Sequence, residues 1–467
     1  MARRHLVLII AAVLIISAAF AVDLLKKPLI IDEKPLETEV TVYNQDFGVV
    51  KEYRNKYLAS GVNRVLYEGV AGNIDPTSVK LTAVDGTVSV LEQNFQYDLV
   101  SKEKILEKYV GKNITAYLIY GDKKELVEGE LLSSRGGELI LRDGDGRIQT
   151  LYSSNLLLPE LPEGLILKPT LEWLVDSSEE KNQTLELSYI TSGLTWRSDY
   201  VVVVAKDDAS LDLNGWVTVT NNAGATFYDT ALKLVAGDVR RVTAAVPSGG
   251  TYELAYERKA VSAPQFAEEG LFEYHLYDLQ RKTTLKDNEQ KQISLLEAAG
   301  VSAEKEFVYE NNRWYTSSNK VNVKLNFNNT KANNLGVPLP KGIVRVFKKD
   351  SEGKLQFIGE DSIDHTPKDE TLRLYLGDAF DVTGERKQMD FNDLGGYYEY
   401  EWEVTLKNHK DEDITVTVLE NTGGDWEIKK ETHPHIKESN NKIKWRIPVK
   451  ANGETKLTYT IRYKKWA

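Results

Sequence analysis

The chain has 467 residues, of which 28% are charged and 41% hydrophobic, a balance that suits about two to four globular domains and excludes a disordered chain. Its net charge of −11 repels phosphate backbones, and short basic stretches such as Arg240-Arg241 do not reverse that, so no nucleic acid is expected as a partner. There is no cysteine, which excludes disulfides, thiolate catalysis, cysteine-ligated metals and a lipid-modified amino-terminal cysteine.

The first residues read as an export signal. Arg3 and Arg4 form a positive start, Leu6 to Ile16 an unbroken apolar stretch, and Ala19-Phe20-Ala21 a small-x-small cleavage pattern, which makes 1–21 a signal peptide. The alternative is an uncleaved membrane anchor. From Leu6 to Val22 only Ser17 is polar, about the shortest run that spans a tilted or thinned bilayer. Either reading places the rest outside the cytoplasm, periplasmic or secreted.

A polar lead-in, 23–37, precedes a small β module over 38–100. Its strands are Thr38–Tyr43, Phe47–Tyr53, Ser78–Ala83 and Thr87–Leu91, with turns at Asp75-Pro76 and Asp85-Gly86. Ser101 then caps a short helix with Ile105, Leu106, Tyr109 and Val110 on one face, ended by Gly111. Over 101–160 the helix is followed by Ile114–Tyr120, Leu126–Ser134, Glu138–Arg142, Arg147–Leu151 and Ser153–Leu158, the order of a small SH3- or Sm-like barrel. Pro159, Pro162 and Pro169 mark a linker.

An interrupted β-sandwich is expected over 170–242 and 272–395. Leu185, Leu187 and Tyr189 alternate, while Val201–Val204 is a continuous run expected of a strand buried on both sides. Pro247–Gly270 reads as a mobile excursion, and Gln290–Ala299 fits helix and strand equally. Over 396–467 an immunoglobulin-like sandwich portion is expected. Tyr398, Tyr400, Trp402, Val404 and Leu406 alternate, and Ile414, Val416 and Val418 answer them as a hairpin across Asn408–Asp413. The fold class is therefore mainly β and multidomain, with a small SH3/Sm-like barrel and immunoglobulin-like sandwich modules.

Five ordered blocks resemble a bacterial family, domain of unknown function 4139, related to proteins called mucoidy inhibitor A. They are SYITSGLTWRSDYVVVV (188–204), WVTVTNNAGATFYDTALKLVAGDVRRV (216–242), YHLYDLQRKTTLKDNEQKQISLL (274–296), GVPLPKGIVRVFKKD (336–350) and GEDSIDHTPKDETLRLYLGDAFDVTGERKQMDF (359–391). The resemblance covers most of residues 170–467 and implies a largely β carboxyl region. It brings no catalytic residues. The chain lacks the long helical coiled coil of the mucoidy inhibitors, so partner binding through such a coil is not inherited.

No nucleophile elbow, P-loop, dinucleotide fingerprint or His-Glu-x-x-His helix occurs. His433-Pro434-His435 beside Glu431 reads as an exposed hairpin end rather than a metal site. Asp143-Gly144-Asp145-Gly146 reads as a tight turn, since it lacks the ligand spacing of a calcium loop. Asp361, Asp364, His365, Asp369 and Glu370 form the densest acidic cluster and read as a solvated turn. Arg197 and Asp199, two apart on a strand, share a face and read as a structural clasp. Trp314-Tyr315 and Trp426 are candidates for stacking on sugars.

No catalytic residue, metal or cofactor is expected. The function read from these features is a non-enzymatic scaffold or binding protein of the cell envelope, with an envelope protein or glycan as partner. The alternative is an envelope hydrolase or carbohydrate-active enzyme using the acidic cluster around Asp364 and His365. A membrane contact is expected only through an uncleaved amino-terminal anchor.

Overall fold

A computed structural model describes residues 29–31, 35–120, 123–135, 137–152, 155–162, 164–237, 239–240, 265–272, 274–312 and 320–465. Residues 1–21, read above as a signal peptide, Trp314-Tyr315 and residues 247–264 of the Pro247–Gly270 segment lie outside these. The protein is mainly β, with several sheets and one α-helix among the described residues. No helix there is long and apolar enough to cross a membrane. The chain divides into two compact units, the first built from Met1–Thr195, Thr220–Lys233 and Arg281–Glu289, the second from Trp196–Val219, Leu234–Gln280 and Gln290–Ala467.

In the first unit, Glu37–Tyr43 and Phe47–Leu58 form an antiparallel hairpin, and Lys181–Ser192 pairs with Phe47–Leu58 along its whole length. Alternation sets the faces: Leu185, Leu187 and Tyr189 are all buried, as are Val40, Val42 and Val50. A second sheet inserts Thr170–Ser177 between Gly61–Glu68 and Val88–Gln96. There Trp173 meets Tyr67 edge-to-face at 5.4 Å, and the Arg54 guanidinium lies 4.6 Å from the Tyr67 ring centroid.

Between these strands the chain makes the small module expected from its pattern. The helix is Lys102–Tyr109, and the Ser101 hydroxyl accepts the Lys104 N–H at 3.2 Å. Leu106 and Tyr109 are buried, whereas Val110 ends the helix exposed, so it leaves the predicted apolar face. Five strands follow in the sheet order Ile148–Tyr152, Glu138–Arg142, Lys123–Arg135, Asn113–Tyr120, Asn155–Leu157. The two edge strands are separated by residues 153 and 154 alone, so their facing ends lie within roughly 11 Å. A flat five-stranded sheet would hold its edges about 19 Å apart. The sheet therefore curls, helped by Gly129, where a Cβ would stand 2.6 Å from the Arg142 carbonyl oxygen. It does not close: among the described residues no ladder joins the two edges, and the predicted barrel is an open one.

The second unit contains two cores threaded by the same two long strands, Glu289–Asn312 and Thr371–Asp393. In the first core Ala298, Val301, Leu372 and Leu374 pack with Tyr200, Val202, Val204, Val344 and Val346. The strands there run in the order Leu355–Ile363, Gly342–Lys349, Leu194–Val204, Ser210–Asn221, Glu289–Asn312, Lys320–Asn328, Thr371–Asp393. Leu194–Val204 is parallel to Gly342–Lys349. Val202 and Val204 are buried while Val201 and Val203 are only half-buried, so this strand alternates instead of being buried on both sides. The segment that fitted helix and strand equally, Gln290–Ala299, is strand. The strand that contains it lies beside Ser210–Asn221, and Ile293 and Leu295 are buried.

The second core is a β-sandwich. One layer continues through Thr371–Asp393, Tyr397–Asn408, Gly453–Lys464 and Trp426–Glu431. The other holds the end of Glu289–Asn312, then Ile414–Asn421, Lys442–Val449 and Ile436–Ser439. Trp402, Val404, Leu457, Tyr459 and Ile461 face Val416, Val418, Ile443, Trp445 and Ile447 across it. The predicted hairpin of Tyr397–Asn408 with Ile414–Asn421 does not form. Tyr397–Asn408 buries one face, Ile414–Asn421 is buried along most of its length, and the chain crosses from one layer to the other between them. Asn408 supports the crossing, its amide donating to Glu412 O at 2.8 Å and Lys450 O at 3.1 Å.

Candidate functional site

The pair Arg197 and Asp199 is part of a larger clasp. Asp199 is almost completely buried, and Arg197 Nε donates to its Oδ2 at 3.2 Å. Arg345 Nη1 donates to Oδ1 at 3.3 Å, and Thr218 Oγ1 to Oδ2 at 2.9 Å. The carboxylate thus pins three strands, Leu194–Val204, Ser210–Asn221 and Gly342–Lys349, consistent with the structural reading.

The acidic cluster does not converge. Asp361 Oδ2 accepts the Tyr375 backbone N–H at 2.8 Å, and His365 Nδ1 accepts the Lys341 N–H at 3.2 Å. Asp364 projects into solvent with its side chain 94% exposed, 3.8 Å from Lys341 Nζ. Asp369 takes a left-handed φ of 68° in the turn before Thr371. Asp143 Oδ1 accepts the N–H groups of Asp145 and Arg147 at 3.0 and 2.8 Å, as a turn requires. These bonds, the Arg147 N–H foremost, hold the Asp143 carboxyl below its usual range.

In the sandwich, Glu431 Oε2 binds His435 Nδ1 at 2.9 Å and accepts from Trp445 Nε1 at 2.9 Å. Glu431 is thereby committed to packing. No group of three histidines or carboxylates suited to a metal occurs among the described residues. Trp426 is half-buried against the sandwich core, and its indole N–H donates to Asn440 O at 2.6 Å.

A concavity lies elsewhere, on the outer face of five adjacent strands of the second unit. These are Thr371–Asp393, Lys320–Asn328, Glu289–Asn312, Ile414–Asn421 and Lys442–Val449. Period-two geometry turns one set of residues into the cores, Phe327, Phe307, Val416, Val418, Ile443 and Trp445 among them. The alternate set lines a cleft of about 620 Å³.

Its floor is polar. Glu306 accepts from Thr417 Oγ1 at 2.7 Å and from Asn326 Nδ2 at 2.8 Å. The second bond sets the Asn326 amide so that its Oδ1 is buried with no hydrogen-bond partner among the described residues. Cations stand around this floor. Lys444 pairs with Glu438 at 3.3 Å and Lys324 sits 3.9 Å from Glu310. Arg373, Lys442 and Arg446 line the cleft with no ion pair or hydrogen bond to a described residue, and the Glu304 carboxylate is likewise unpaired. On a chain of net charge −11, a concave patch with three uncommitted cations is a local reversal of sign.

The sequence reading missed this face, although one signal was present. Lys442, Lys444 and Arg446 interleave with the apolar Ile443, Trp445 and Ile447, so strand parity alone puts the three cations on one outer face.

The fold and this face define a mainly β, multi-sheet protein with a polar concave surface. Residues 185–465, more than half the chain, match the sequence model described as Domain of unknown function (DUF4139), and the chain belongs to that family. No curated protein matches the chain.

Proposed function

We propose that the protein is an exported, non-enzymatic binding or scaffold protein of the cell envelope, and that the concave face of its second unit holds an envelope component. The observation that carries the binding role is the cleft itself. It has ligand-sized volume, its walls come from the rigid interior of a sheet, and Arg373, Lys442 and Arg446 point charge into it uncommitted. Export is supported by Arg3, Arg4, the apolar run to Ile16 and Ala19-Phe20-Ala21. The acidic cluster gives the rival hydrolase reading less support, because its carboxylates are spent on backbone contacts or stand in open solvent.

Two measurements test the proposal. Fractionation of cells making the full chain places it outside the cytoplasm; recovery with the cytosol refutes export. Capture of envelope components by the purified chain is lost when Arg373, Lys442 and Arg446 are all changed to alanine. Hydrolytic turnover that vanished in Asp364→Asn and His365→Ala would overturn the non-enzymatic reading.

A further inference from the structure

We infer that the cleft takes an acidic saccharide, an oligosaccharide bearing carboxylates among free hydroxyls; this rests on the binding role proposed above and assigns its ligand class. Two features of the lining have to be satisfied together. The first is positive charge on opposite sides. Arg373 stands on Thr371–Asp393, and Lys442 and Arg446 on Lys442–Val449, four strand spacings or roughly 19 Å across the sheet before curvature, and by register Arg446 lies a further four residues, and Lys442 eight, along the strands from the row of Arg373. Lys442, Lys444 and Arg446 follow one another at alternate residues, about 7 Å apart. An occupant therefore carries more than one anionic group.

The second feature is the set of acceptors between those cations. Asn326 Oδ1 is buried and unpartnered, and the Glu304 carboxylate is uncommitted. Opposite Asn326 on the ladder stand Glu304 on one side and Arg373 on the other, so cation and acceptors share one row. A buried acceptor without a donor is destabilising, and a turn of the Asn326 amide toward the cleft brings this oxygen to a ligand hydroxyl. A pure polyanion, such as a run of glutamates or a chain of phosphates, brings anionic charge to this floor without side-chain donors, and Glu304 and Glu306 repel it. A saccharide with carboxylates and hydroxyls answers both features. The apolar lining side chains, Ala303, Val308, Phe327, Ala332 and Leu419, are a minority among polar ones, which fits a hydroxylated ligand better than an apolar one.

The test is calorimetric titration of the full chain with tetragalacturonate, neutral maltotetraose, hexaglutamate and inorganic phosphate at low and high salt. Tetragalacturonate binds at least about tenfold more tightly than maltotetraose, and salt weakens it. Changing Arg373, Lys442 and Arg446 together to alanine removes that preference, and near-ultraviolet dichroism checks that these exposed changes leave the fold intact. Glu304→Ala separates the ligand classes, because it weakens tetragalacturonate and strengthens hexaglutamate. Equal affinity for the charged and neutral sugars, or no effect of the triple variant, overturns the inference. Hexaglutamate or phosphate binding in place of the sugar, still lost in the triple variant, keeps the binding face and refutes the saccharide. If the triple variant also captures envelope components normally, the proposed binding role falls with it.

Discussion

Within the sandwich core Arg386 and Glu420 form an ion pair with both side chains fully buried. Arg386 Nη2 donates to Glu420 Oε1 at 2.8 Å, Tyr459 OH donates to Oε2 at 2.9 Å, and the guanidinium carbon lies 3.5 Å from the Trp402 ring centroid. Burial pushes the Glu420 carboxyl up, against the opposing pull of Arg386 and the Tyr459 hydrogen bond. Arg386→Met removes the counter-charge and leaves a carboxylate in the core, at a cost of about 3–5 kcal/mol near neutral pH. Arg386→Met with Glu420→Leu removes both charges and recovers most of that loss, because a well-packed apolar pair is about as stable as the ion pair.

The pH dependence of the single variant follows from the sign of the shift. Without Arg386 the Glu420 carboxyl titrates higher still in the folded state than in the unfolded one. Its stability contribution is full below the unfolded value and lost as pH rises through the folded one, so Arg386→Met regains stability on acidification relative to the parent. Because the chain has two units, a global unfolding curve need not be two-state. Hydrogen exchange of peptides covering 397–408 and 414–421 reads the sandwich alone. A loss below about 1 kcal/mol in Arg386→Met, or a double variant no better than the single, refutes the reasoning.

Two further predictions concern the second unit. Asp208 is held by Lys305 and Lys348; desolvation opposes its ionisation, but the two ammonium groups prevail and hold its carboxyl below the usual range. Its contribution is present above the unfolded value and fades as pH falls through the folded one. Asp208→Asn therefore costs about 2 kcal/mol at pH 7 and progressively less in acid, and a constant cost across that range in denaturation at stepped pH contradicts the pairing. Gly384 sits where a Cβ would stand 2.6 Å from the ring of buried Tyr309. Gly384→Ala lowers the unfolding midpoint, at a cost of about 1–3 kcal/mol, and an unchanged midpoint would mean that the ring has room to move.

Much of the local structure was legible along the chain. The Ser101 cap, the Glu138–Arg142 strand, the Asp143 turn and the alternation of Leu185, Leu187 and Tyr189 each rest on neighbours within a few residues, so composition and period report them directly. The Arg197–Asp199 pairing was readable too, since residues two apart on a strand share a face. The five blocks between 188 and 391 carried the family resemblance without any coordinates.

Pairing across long separations was decided only in three dimensions. Alternation says which residues face inward but not which strand lies alongside. Thr170–Ser177 slots between Gly61–Glu68 and Val88–Gln96 although the small open barrel intervenes in sequence. Tyr397–Asn408 and Ile414–Asn421, adjacent in the chain and both amphipathic, went to opposite layers because each finds its ladder partners elsewhere. The cleft depends on the same long-range choice. Arg373, Asn326, Glu304, Thr417 and Arg446 come from five strands, and on each strand they look like ordinary outward polar residues. Sheet order alone makes them neighbours, which is why the acidic cluster, dense in sequence, yielded a turn, while the dispersed cations line one cleft.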